Sequence, residues 1–217
     1  WREFAKTGTL ATIRFTETSA TETVVLVDGL DSGQVARGAG YPTASELTIY
    51  AADRVVTRLF ADGNEVGLRT GSITAADIGV PVPTNGDGHP WIAPSADEAT
   101  RRQIGATFDS LGEAIHDGGE SVSPHSCGLH ERLPSNADVV LVTPALDEST
   151  GELVETLCAA DRRVAVVTPD VTDRETVGKT VARIERRLTL ARLRSAGAIV
   201  CDWDTRFPLA SAMEAAR

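Results

Sequence analysis

Thr23-Val24-Val25-Leu26-Val27-Asp28 is the stretch that decides the fold. It is an unbroken apolar run that closes on a carboxylate, the character of a strand buried on both faces. The same pattern returns in 137–143 (ADVVLVT), 163–168 (RVAVVT) and 198–202 (AIVCD). Residues 64–70 (NEVGLRT) read as a shorter strand starting at a Gly63-Asn64 turn, and the alternating segment 10–15 as an edge strand. Between the strands the sequence turns helical. Thr43-x-x-Glu46, Ser95-x-x-Glu98 and Thr172-x-x-Glu175 each fit a capping box, in which a hydroxyl and a carboxylate satisfy free helix N–H groups. Ile104, Phe108, Leu111 and Ile115 form one apolar stripe at helical spacing. Val177, Val181, Ile184, Leu188 and Ala191 form another, and both stripes are expected to face the core. Gly63, Gly118 and Gly197 stand as stop signals.

Working outward, two stretches break this alternation. Residues 71–94 hold four Gly and four Pro, too many for a regular element, and read as a long loop compatible with a hairpin. Residues 117–137 form a second polar segment. Strand–helix alternation with buried strands predicts an α/β domain. Its sheet is mostly parallel and Rossmann-like, with helices on both faces and the 23–28 strand in the middle.

The 217 residues suit a single domain spanning 1–217, on a prior of ~150 residues per domain. The chain starts at Trp1 rather than Met, so it reads as the C-terminal part of a longer protein. No apolar run approaches the ~18 to 20 residues of a membrane span, and Trp1 and Arg2 open no secretory signal. The expected location is cytoplasmic, with room for a membrane tether upstream. Three widely spaced cysteines, Cys127, Cys158 and Cys201, imply no disulfide framework and fit a reducing compartment.

Twenty-one basic against 31 acidic residues give a net charge of −10, and only Lys6 and Lys179 are lysines. Such a surface repels phosphate backbones and argues against general nucleic-acid binding. Acidity with scarce lysine and 5% aromatics points to adaptation to high salt. Salt screens carboxylate repulsion over a Debye length of ~3 Å at 1 M against ~10 Å at 0.1 M. The thermal midpoint is therefore expected to climb as KCl rises to molar concentration. A flat or falling midpoint would leave codon bias as the reason for the missing lysines.

Ligands of open α/β sheets bind beyond the carboxyl ends of the strands, which directs attention to Asp28, Thr143, Thr168 and Asp202. The richest loop there is Asp28-Gly29-Leu30-Asp31-Ser32-Gly33, whose oxygens suit a hard cation. A polar turn with capping Asp and Ser explains it too, and on these residues alone comes ahead of the cation site. Other motifs are weaker. Gly178-Lys179-Thr180 resembles the end of a phosphate-binding loop, but Asp173 stands where its first Gly belongs and the triplet falls within a helix. His125-x-Cys127-x-x-His130, with His116, lacks the paired spacings of structural zinc. His89 has no evident partner in the sequence. Arg183, Arg186, Arg187, Arg192 and Arg194 read as a solvated basic face complementing the helix dipole, ahead of a docking patch for an acidic partner.

Several segments carry a family resemblance. Trp1-Arg2-x-Phe4-Ala5-Lys6-Thr7-Gly8-x-Leu10, Phe15-x-Glu17 and the strand entering the Asp28 loop resemble domain-of-unknown-function family fifty-eight. Asp62-Gly63-Asn64-x-Val66-Gly67-Leu68 supports it, and the tail from Arg183 to Asp202-Trp203-Asp204 is similar to salt-loving archaeal members. That family is similar to von Willebrand factor A domains. The resemblance implies a Rossmann-like sheet with an antiparallel edge strand, a metal-ion-dependent adhesion site at its carboxyl edge, and a MoxR-type AAA+ ATPase as partner. Against the family's Asp-x-Ser-x-Ser pattern, Asp28 and Ser32 are retained and Leu30 replaces the middle Ser. Where a Ser/Thr-Asp pair is usual, Thr143-Pro144 stands, with Asp147 three residues beyond Pro144. Leucine and proline ligate no cation, so the metal site is expected to be degenerate and no metal or other cofactor bound. The expectation is a non-enzymatic interaction module that docks a protein through Asp28, Asp31, Ser32, Thr143 and Asp147. The alternative is a Rossmann-like hydrolase using Asp28. It wants a second carboxylate two residues on, where Leu30 stands.

Overall fold

The computed structural model describes residues 21–28, 35–71, 73–78, 81–84, 86, 88–116, 133–146, 149–172 and 177–216. The expected edge strand at 10–15, the stop at Gly118 and the His125–His130 cluster lie outside the described residues. Six strands form one sheet: β1 (Glu22–Val27), β2 (Glu65–Thr70), β3 (Trp91–Ser95), β4 (Asp138–Val142), β5 (Val164–Asp170) and β6 (Ile199–Asp204). Their order is β3-β2-β1-β4-β5-β6, all neighbours parallel except β2 and β3. The helices are α1 (Ala44–Ala61), α2 (Ala75–Ile78), α3 (Glu98–His116), α4 (Ser149–Ala159), α5 (Val177–Ser195) and α6 (Leu209–Ala215). No helix among the described residues is long and apolar enough to cross a membrane.

The α/β architecture is the one the buried runs require. Successive strand residues point to opposite faces, so each run feeds two cores. Val25, Val27, Val140 and Val142 join Val55, Leu59, Phe108 and Leu111 of α1 and α3 on one face. Val24, Leu26, Val139 and Leu141 join Val154, Leu157, Leu190 and Leu193 of α4 and α5 on the other. β1 is bonded on both sides, to β2 and β4, in the middle of the sheet.

The Gly- and Pro-rich stretch is not all loop: it carries the short helix α2 and most of β3, which pairs antiparallel with β2. The register shifts between Val66 and Leu68. There a Cβ on Gly67 would sit 2.8 Å from the Ile92 carbonyl oxygen and 2.9 Å from Pro94, so only glycine lets the two backbones approach. On the outer side of β3, the Trp91 amide donates to the Pro83 carbonyl at 2.8 Å.

Helix starts follow the sequence in part. Thr43 and Glu46 make the full capping box of α1, with the Thr43 amide on Glu46 Oε2 at 2.7 Å and the Glu46 amide on Thr43 Oγ1 at 3.3 Å. At α3 the cap is Asp97 rather than Ser95, because the Thr100 amide donates to Asp97 Oδ1 at 2.6 Å. Ser95 belongs to β3 and donates to the Asp97 carboxylate at 2.8 Å. The described part of helix α5 runs from Val177, and Thr172 turns back to donate to Asp170 Oδ1.

The largest departure is the rotation of α5. Arg186, Leu190 and Leu193 face the core, whereas Val181, Ile184 and Leu188 are 50%, 51% and 66% exposed. Ala191 is exposed as well, and the Val177 side chain lies outside the described residues. Two stripes compete on this helix. The sparser one wins because the Arg186 stem adds apolar cover to Leu190 and Leu193, while its guanidinium meets oxygen acceptors at the strand ends.

Candidate functional site at the carboxyl edge of the sheet

Parallel register carries the strand ends to one edge. The Asp28 amide donates to the Val142 carbonyl at 3.0 Å, the Gly71 amide to Val27 at 2.8 Å, and the Thr143 amide to Val167 at 3.1 Å. Thr168 in turn pairs with Asp202. Gly71, Asp28, Thr143, Thr168 and Asp202 thus form a row across five strands. From β1 the chain continues to β2 on one side, and β4 continues to β5 on the other. The topological switch point therefore lies between Asp28 and Thr143.

The sequence reading brings these two residues together, and the structure buries both, Asp28 to 3% and Thr143 to 1% exposure. Asp31, Ser32 and Asp147 lie outside the described residues. Behind Asp28, Gly71 is pressed against the carboxylate: a Cβ there would sit 2.5 Å from Asp28 Oδ1. Thr143 Oγ1 accepts the Ala145 amide at 3.2 Å. Ala145 holds φ at 52°, a left-handed conformation that costs a non-glycine residue about 1 kcal/mol or more. The turn after β4 is thus tied by the Thr143 hydroxyl into a shape its sequence does not favour.

Further along the edge, the structure revises the reading of the basic run. Arg186 is 4% exposed and is no solvated surface residue. Its Nη1 pairs with Asp202 Oδ1 at 2.8 Å, and its Nη2 donates to the carbonyl and hydroxyl oxygens of Thr168, both at 3.2 Å. Asp170 Oδ1 stands 4.0 Å from its Nε. Arg192 makes a bidentate pair with Glu155, through Nε to Oε1 and Nη2 to Oε2 at 2.5 and 2.7 Å. Asp204 is held by Arg206 and lies 3.9 Å from Arg37 Nη1. Hydrogen bonds from the Arg206 side chain pull the Asp204 carboxyl down to about 2; burial opposes them, and the Arg206 amide and the charges of Arg206 and Arg37 add to the lowering. The strand-end rule found Thr168 and Asp202, but no signal in the sequence showed that Arg186 turns inward to meet them.

His89 does have a partner: it is buried, with Nδ1 3.1 Å from the Ile73 carbonyl oxygen. Gly178-Lys179-Thr180 falls in the first turn of α5. Cys158 and Cys201 are free thiols, and burial pushes both up, Cys201 to about 11 with Asp202 adding to the rise. No protein-family model matches this chain, and no curated protein matches it either.

Proposed function

We propose that the protein is a non-enzymatic interaction module that docks a protein partner at the carboxyl edge of the sheet, over the switch point. The observation that carries this reading is the meeting of Asp28 and Thr143 at the ends of the two central strands. Both are too buried to touch a partner broadly. Their role in this reading is to fix where the chain leaves β1 and β4 on its way to Asp31, Ser32 and Asp147. The strand order with one antiparallel edge supports the von Willebrand A-like reading; the MoxR-type AAA+ ATPase as partner rests on the sequence resemblance alone. The acidic composition supports a high-salt setting.

The side chains at the switch point do not fit a conventional cation cage. Mg²⁺ holds its waters tightly and wants near-octahedral oxygen. Leu30 and Pro144 offer no side-chain oxygen, and the Thr143 hydroxyl already accepts an amide. Docking is therefore expected to survive chelation. In a binding assay with the purified ATPase, Gly71→Val, which drives a side chain into Asp28, is expected to weaken association at least ~10-fold, about 1.4 kcal/mol. EDTA is expected to leave it unchanged. Undiminished binding by a folded Gly71→Val protein would remove the switch point from the interface. Micromolar Mg²⁺ or Mn²⁺ binding to chelator-treated protein, lost in Asp28→Ala, would overturn the metal-free reading.

A further inference from the structure

We propose that the cavity at the carboxyl ends of β5 and β6 binds a small phosphate monoester, gripped by Arg183 and Arg187 and oriented by Arg186. The cavity measures about 380 Å³ and is lined by Asp170, Arg183, Arg186, Arg187, Asp202 and Asp204. Its size lies within the range of small-ligand sites, and its place obeys the strand-end rule for open α/β sheets.

The arrangement of charge decides the sign of the ligand. Asp170 and Asp202 both face Arg186. Asp204 is taken up by Arg206 and Arg37. Arg183 and Arg187 have no hydrogen-bonding or ion-pair partner among the described residues, so among those residues five arginines face three aspartates, a local excess of positive charge. That excess sits on a chain whose net charge is −10. Residues 183, 186 and 187 are spaced by three and four along α5, which puts them on one side of the helix, converging on the cavity.

Burial supplies the second argument. Arg186 is 4% exposed, and its Nε is buried without a hydrogen bond; the same holds for Arg183 Nε. Guanidinium donors in a planar fork suit the several acceptor oxygens of a phosphate. Arg186 is held in place by Thr168 and Asp202, so the part of the cavity wall that it forms is fixed before a ligand arrives. A divalent cation would instead meet two uncompensated guanidinium groups, so the cavity repels it. This site is separate from the switch point between β1 and β4, and the proposal does not depend on the docking reading above.

The test is calorimetric titration of the 217-residue chain with inorganic phosphate at pH 7.5 and fixed ionic strength. A Kd below about 1 mM is expected, weakened at least ~10-fold in the double variant Arg183→Gln/Arg187→Gln. That variant spares the Arg186 anchor, and its thermal midpoint shows whether it is folded. Amide shifts induced by phosphate should fall on residues 168–170, 183–187 and 202–206. A second titration compares glycerol phosphate with a phosphoserine hexapeptide of otherwise neutral sequence. Tighter binding of glycerol phosphate supports the small-ligand assignment, and the reverse order overturns it. No binding at 10 mM phosphate, equal affinity in the folded double variant, or shifts confined to other residues would overturn the site.

Discussion

Leu26→Ala is expected to destabilise the protein by about 3 kcal/mol, within the ~2.7 to 5 kcal/mol of buried Leu→Ala changes. Leu26 is fully buried in the central strand, between Leu141 of β4 and Arg69 of β2, with its side chain in the core under α4 and α5. Parallel neighbours on both sides hold the backbone, so the void left by the side chain cannot collapse. Urea unfolding should show a lower midpoint at an unchanged slope, the mark of lost stability without a change in the surface exposed. Leu188→Ala is the matched control. At 66% exposure on the outer face of α5, Leu188 is expected to change stability by no more than about 0.5 kcal/mol. A cost near that of Leu26 would mean that α5 packs through its longer apolar stripe after all.

Arg186→Ala is expected to cost about 2 kcal/mol, below the ~3 to 5 kcal/mol for breaking a fully buried ion pair. The discount follows from the carboxylates: the side chains of Asp202 and Asp170 are 43% and 32% exposed and can recover water. The Thr168 carbonyl and hydroxyl, both donated to by Arg186 and fully buried, cannot. Arg186→Met keeps the apolar stem over the core and should fall between the wild-type protein and the alanine variant in urea unfolding. If alanine and methionine were both neutral, the guanidinium would not be what fixes the rotation of α5.

The parallel strands were legible because their information is local, whereas β3, with Pro94 inside it, was not. A run such as Val24–Val27 has no polar side to present to water, so it must lie at the middle of a covered sheet, and it does. The apolar stripe of α3 and the capping box at Thr43 were legible for the same reason. The Ser95 box failed since a hydroxyl followed three residues later by a carboxylate also occurs where a strand ends, and Asp97 was the nearer acceptor. The orientation of α5 was not legible. It depends on where Thr168, Asp170 and Asp202 meet after two strands have paired, which residue spacing within the helix does not encode. The switch point was found through Asp28 and Thr143, the last apolar-run neighbours with side-chain oxygen. What their spacing did not reveal was depth: both sit inside the edge, and Gly71, just past the end of β2 and 43 residues further along the chain, comes up against Asp28.

The contact between the Trp91 amide and the Pro83 carbonyl bears on how this sheet behaves in a crowded solution. An open edge is a template on which a stray chain can crystallise one more strand, and sheet proteins blunt such edges to escape fibril growth. Here the segment before β3 folds back along it, bridging Thr84 to Pro90 as well. Two prolines within that short cover, Pro81 and Pro83, carry no amide hydrogen. The cover therefore occupies a donor of β3 while offering few donors of its own, and the lamina ends there instead of recruiting a neighbour.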